Sequence, residues 1–318
     1  MDNTTLIRLE HVSRYYGGHL ALDKVSFEVQ KGEVLGLLGP NGAGKSTTLQ
    51  IMSGNLAPSA GRIWVDGVDL LDEPKRAKGA LGYLPDQPPL YRELTVDEYL
   101  AYCARLNRIP AGQRHTAVQR AKKRCGLAAV GPRLIGNLSK GYRQRVGIAQ
   151  AIIHSPPVVI LDEPTVGLDP LQMREIRALI RELSDQHSVI LSSHVLPEVQ
   201  AVCDRVQIIS RGRLVLSDSI AGLEQRLRGT SLIAAFRQPP AAETLADLPG
   251  VTEVETLGEG RFRLRFAADH SPAEAVVEQA VAGGWRLYEL SPERLSLEQV
   301  FVDITRDDPG AAVREEAA

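Results

Sequence analysis

Nine residues limit this chain more than any others: Gly39, Pro40, Asn41, Gly42, Ala43, Gly44, Lys45, Ser46 and Thr47. They follow the apolar run "GEVLGLLG", which suits a strand buried on both faces, and they open the stretch "STTLQIMSG", which reads as a helix. The pattern GxxxxGK[ST] between a strand and a helix is a phosphate cradle. Glycines let backbone N–H groups turn inward around an anion, and the helix N-terminus adds partial positive charge. Lys45 is expected to reach the β- and γ-phosphates of a nucleoside triphosphate, and Ser46 to give a hydroxyl to Mg²⁺.

Two further stretches narrow the chemistry. "VVILDEP" puts Asp162 at the end of a buried strand, where an acid can hold the shell of Mg²⁺, and sets Glu163 beside it to polarise an attacking water. "VILSSH" ends in His194, which is placed near the γ-phosphate, able to hydrogen-bond it or the water. Glu163 and His194 are therefore the expected catalytic pair of a hydrolase.

The rest of the 318 residues read as a chain with room for one large or two medium domains. The formal charge of −2 argues against non-specific nucleic-acid binding, and the basic helix carrying Arg120, Lys122, Lys123 and Arg124 reads as a solvated face without interleaved aromatics. Cys103, Cys125 and Cys203 lack CxxC spacing and are expected to be buried, reduced thiols. No signal peptide is recognisable at the N-terminus, and no window approaches the ~18 consecutive apolar residues of a membrane span. Strand–helix alternation implies a largely parallel sheet, with Asp66-Gly67 marking a hairpin and Thr95 with Glu98 a capping box. After a helical connector at 218–229, the order βαββαβ suggests a small ferredoxin-like α+β domain at 230–306, then a disordered tail at 307–318.

The motifs together resemble those of ATP-binding cassette (ABC) ATPases: the cradle at 39–46, "LSKGY" at 138–142, "ILDEP" at 160–164, "GLDP" at 167–170 and "SSH" at 192–194, in that order. The resemblance covers about residues 6–216. It implies an α/β P-loop NTPase core of mixed sheet over 1–217, with a helical subdomain at about 88–152. ATP and Mg²⁺ are the implied ligands. Two cassettes of this family face each other head to tail, so Ser139 and the backbone of Lys140 and Gly141 would contact the γ-phosphate held by the partner's P-loop. By the same resemblance Tyr16 stacks on adenine, with Tyr15 as the adjacent alternative, and Asp169 crosses the dimer seam. The signature departs from the usual LSGGQ at Lys140 and Tyr142. The Q-loop "GYLPDQPPLY" has Asp86 where glutamine commonly stands and Gln87 one place later, and both stay open as the group that meets Mg²⁺ and water.

The resemblance also implies partners: a second ATPase subunit, taken as an identical copy, and a separate integral membrane permease, with no nucleic acid. This places the chain in the cytoplasm, peripheral on the inner face of the cell membrane. Leu90, Tyr91 and Leu94 beside the Q-loop form a candidate docking strip for a permease helix. The ending "LEQVFVDIT" and "LSKGYRQRVGIAQAIIHSP" resemble the gliding-motility and multidrug-export branch of ABC-2 type. The rival class is a soluble ABC-type ATPase in a non-transport role.

Overall fold

The computed structural model describes residues 5–227, 231–267 and 270–293. The chain divides into two compact units, Met1–Ile220 and Ala221–Ala318.

The first unit opens with two long alternating strands, β1 (Thr5–Tyr16) and β2 (His19–Gln30), joined through a turn at Gly17. Next come β3 (Val34–Leu38), fully buried as its apolar run demands, and α1 (Lys45–Met52). β4 (Ala60–Val65) and β5 (Val68–Asp69) form the expected hairpin, whose turn residues Asp66 and Gly67 both take positive φ. β2, β1, β4 and β5 make a four-stranded antiparallel sheet.

Short helix α2 (Pro74–Gly79) leads to β6 (Leu81–Leu84). A helical segment follows: α3 (Val96–Leu106), α4 (Ala111–Arg124) and α5 (Lys140–Ile152). The Thr95–Glu98 capping box forms in both directions, fixing the start of α3. The basic face of α4 differs from expectation at one position. Lys122 is buried and pairs with Asp97, because its position turns toward α3 rather than to water.

β7 (Val158–Leu161), α6 (Pro170–Ser184), β8 (Ser188–Ser193), α7 (Leu196–Val202), β9 (Arg205–Ser210) and β10 (Arg213–Ser219) complete the unit. The six-stranded sheet has the order β10-β9-β3-β8-β7-β6. Its neighbours are parallel except β10, which pairs antiparallel with β9, so the sheet is mixed. Helix α7 packs close to β3 because Gly36 has no Cβ; an added one would lie 2.6 Å from Val199 Cγ1. One apolar core joins the antiparallel sheet, α1 and strands of the mixed sheet. All three cysteines are buried and free; burial pushes the Cys103 thiol up to about 11 and Cys125 up to about 12. Among the described residues no helix is long and apolar enough to cross a membrane.

The second unit follows α8 (Ile220–Leu227) with β11 (Ser231–Phe236), α9 (Ala242–Ala246), β12 (Val251–Gly258), β13 (Arg261–Phe266), α10 (Ala273–Ala282) and β14 (Leu287–Pro292). Its sheet has the order β12-β13-β11-β14, antiparallel throughout, which is the ferredoxin-like arrangement. Phe236, Phe262 and Trp285 stack edge-on at the centre of its core. The stretch "LEQVFVDIT" and the tail at 307–318 lie outside the described residues.

Candidate functional site

Four adjacent strands of the mixed sheet, β3, β8, β7 and β6, run parallel and deliver their carboxyl ends to one edge. Beyond β3 lies the P-loop, beyond β8 His194, beyond β7 Asp162 and Glu163, and beyond β6 Asp86. In open α/β sheets ligands bind outside such carboxyl ends. Parallel pairing is therefore what gathers residues 39–47, 86, 162–163 and 194, which the sequence scatters.

A cleft of about 500 Å³ lies there. Tyr16, Asn41, Gly42, Gly44, Lys45, Ser46, Thr47, Asp86, Glu163 and His194 all line it. Gly42 and Gly44 have positive φ, turning the loop around the start of α1. Gly39 is confined for another reason: a Cβ there would lie 2.3 Å from the carbonyl oxygen of Ile209, a backbone atom that cannot yield cheaply. Lys45 is buried, and its ammonium donates to Gly39 O at 2.8 Å and Pro40 O at 3.2 Å, with Glu163 Oε1 at 3.5 Å.

Asp162 is buried and accepts two hydroxyls on one oxygen, Ser46 Oγ at 3.2 Å and Ser192 Oγ at 2.7 Å. Burial raises its pKa, while the two serine hydrogen bonds hold it down and the charge of Asp86 adds to the rise. A nearby cation would relieve that cost. Ser46 Oγ and Asp162 Oδ1 are hard oxygen donors one hydrogen bond apart, a pair that suits Mg²⁺, which takes few protein ligands and completes its shell with water and phosphate oxygens. Glu163 has φ 46°, and its backbone N–H donates to Ser192 Oγ at 2.8 Å. His194 Nδ1 lies 3.1 Å from Glu163 Oε2.

Of the two Q-loop alternatives, Asp86 lines the cleft and Gln87 does not. Tyr16 lines the cleft and Tyr15 does not, and Arg14 Cζ stands 4.9 Å from the Tyr16 ring centroid. Three cleft residues carried no sequence signal: His19, which pairs across the hairpin with Tyr16, Ala21, and Val166. Ser192 was legible only as part of "SSH", and its role as a brace for Asp162 depends on the β7–β8 pairing.

The signature residues stand apart from the cleft. Ser139 is the N-cap of α5, with its Oγ accepting from Tyr142 N at 3.3 Å. Ser139 and Lys140 are exposed, Gly141 is buried, and none of them lines the cleft. Asp169 caps α6 in the same way, accepting from Gln172 N at 2.9 Å ahead of Pro170.

Residues 22–166 match the ABC transporter domain family. An uncharacterized ABC transporter ATP-binding protein of Bacillus subtilis, YxlF, is 37% identical over 94% of this chain and 99% of its own length. The linearmycin resistance ATP-binding protein LnrL, also of B. subtilis, is 30% identical over 94% of this chain and 98% of its own. Among solved structures, the dimeric form of MJ0796, a bacterial ABC transporter cassette, superposes with a TM-score of 0.62 at 25% identity, over 68% of this chain and 99% of that one. With its P-loop, Glu163 and strand-end histidine lining one cleft and Asp162 hydrogen-bonded to Ser46 behind it, this chain belongs to the family of ABC transporter ATP-binding proteins, the ATP-hydrolysing subunits of such systems.

Proposed function

We propose that the chain powers a separate membrane permease, in the export direction, through ATP-driven pairing of two copies. The observation that carries this reading is the separation just described: one chain gathers the P-loop, Asp162, Glu163 and His194, yet leaves Ser139 at a helix start outside that cleft. A helix N-terminus with an exposed cap serine favours an anion. The Ser139 hydroxyl accepts from Tyr142 N through a lone pair, so its O–H remains free to donate to a phosphate of the facing copy.

In this reading Tyr16 offers its ring to adenine, the 39–47 backbone cradles the phosphates, and Lys45 shares its ammonium with the β- and γ-phosphates. Ser46 and Asp162 would hold Mg²⁺, which neutralises charge on the β- and γ-phosphates when bound; Asp86 faces the same space. Glu163 takes the proton of a water attacking the γ-phosphorus as the bond to the β–γ bridging oxygen breaks. His194, against Glu163, orients that carboxylate and the water. Asp169 would meet the facing copy across the seam. LnrL, a resistance protein, supports the export direction, and the MJ0796 dimer supports the pairing. At the permease face we place Leu90, Tyr91 and Leu94: Tyr91 is exposed and packs edge-on against Tyr99 and Tyr102. Such a subunit works in the cytoplasm, on the inner face of the membrane.

Glu163→Gln tests the pairing. This variant should bind ATP and accumulate as a closed dimer, seen by light scattering, because water activation is lost while binding survives. A variant that stays monomeric at saturating ATP would remove the proposed role of Glu163. Co-purification in detergent with a membrane subunit separates transport from a soluble ABC-type ATPase, and charging Leu90 and Tyr91 should release that subunit with the fold intact.

A further inference from the structure

The first unit holds a second cleft, of about 560 Å³, on the helical segment and away from the P-loop. It lies between the α3–α4 turn, the first turns of α4, the end of α5 and the end of α2, and shares no lining residue with the P-loop cleft. Arg108, Arg120 and His154 line it, with Asn107, Gln113 and Thr116 among its polar groups. No carboxylate lines it. Among the described residues neither the Arg108 nor the Arg120 guanidinium has an ion-pair or hydrogen-bond partner, whereas Arg114 nearby donates to Ile109 O and Arg124 to Gln186 and His187.

Two features show that this positive charge is not incidental to the fold. First, Arg108 sits at the left-handed position that ends α3, with φ 56°. Arg108 N donates to Arg105 O and Ile109 N to Ala104 O, the paired bonds of a helix stop whose αL residue is usually glycine. An arginine therefore occupies a position where its backbone is strained, and its side chain lines the cleft. Second, the histidines beside it are held neutral by burial. His154 Nδ1 is buried without a partner, and burial chiefly depresses the pKa of both His154 and His187, the charges of Arg124 and Arg120 adding to the effect on His187. An anion would offset the charge of Arg108 and Arg120, both of which line the cleft. Gly112, in the first turn of α4, also lines the cleft.

We propose that this cleft binds a small phosphorylated ligand through Arg108 and Arg120. The volume is comparable to that of the P-loop cleft, so an organic phosphate of nucleotide size fits, its phosphate between the guanidinium groups and its remainder against Asn107, Gln113 and Thr116.

The full chain carrying Lys45→Ala, which removes phosphate capture at the P-loop, is the material for the test. A soluble probe, inorganic pyrophosphate, is titrated by calorimetry. Vesicles of phosphatidylglycerol form a second arm, because a lipid headgroup presents the same phosphate. Binding in either arm that weakens at least tenfold in Arg108→Ala/Arg120→Ala supports the site and identifies the source. Arg108→Gly is the folding control: it suits the helix stop, so it should melt no lower than the parent and still lose the binding. No binding in either arm, or binding unchanged in the double variant, overturns the proposal.

Discussion

The ion pairs of the second unit's sheet and the charges at the clefts of the first unit are placed differently. In the second unit the arginines of β13 answer acids on the adjacent β12 and, across β11, on β14 and just past its end. Arg263 bonds Glu255 at 2.6 Å and Glu293 at 2.7 Å, Arg261 pairs with Glu289, and Arg265 with Glu253. The Arg263 hydrogen bond holds the Glu293 carboxyl below its usual range. In the first unit Asp162 is buried with a raised pKa, Glu163 is held at positive φ, and Arg108 and Arg120 lack partners. Charges that neutralise one another stabilise a fold and do little else. A buried charge kept at a cost is available to a ligand, and Asp162 in the first unit is one.

The contrast breaks most sharply in turnover. Glu163→Gln should lower the ATPase rate by about 10²–10⁴-fold, the usual worth of a positioned general base, while Arg263→Ala should leave the rate unchanged. A phosphate-release assay on both variants settles it; a comparable loss in Arg263→Ala would mean that the second unit takes part in the chemistry.

Next in size is a backbone effect. Gly39→Ala should destabilise the first unit by about 1–3 kcal/mol, because the new methyl meets the Ile209 carbonyl, and denaturant unfolding followed in the first unit should show it. The second unit's transition should not move.

Acid should part the two units. His154 and His187 are depressed below 6.5 in the fold, so the stability that they contribute is present above that value and is lost as pH falls through their folded values. Asp162 runs the other way, since its raised pKa makes its charge a cost that disappears in acid. Glu293 is depressed below 4.5, so its contribution persists to lower pH before it is lost. Melting against pH should show the first unit softening before the second, and His187→Gln should flatten the first unit's acid limb. The smallest effect is Arg263→Ala, at about 1 kcal/mol and confined to the second unit, because its pairs are partly exposed.

Much of this was written locally. Apolar runs marked β3, β7 and β8, the Asp66-Gly67 pair marked its hairpin, and the order βαββαβ is the order found in the second unit. Helix α7 was not legible. It has seven residues with proline near its start, and its place depends on Gly36 in a strand far earlier in the chain. The basic stretch of α4 was misread at Lys122, since only contact with α3 turns a surface-looking lysine into a buried partner of Asp97.

By itself the sequence determined the chemistry on offer: the glycine loop with Lys45 and Ser46, the acids at 162 and 163, the histidine at 194 and the serine cap at 139. These are properties of short segments, fixed by local backbone rules. Tertiary structure decided what meets what. It put Asp86 rather than Gln87 in the cleft, brought His19 to it across a hairpin, braced Asp162 with Ser192, and left Arg108 and Arg120 facing a cleft without acids. The reason is physical: strand register and helix packing set the direction and neighbours of a side chain over separations that no local pattern spans.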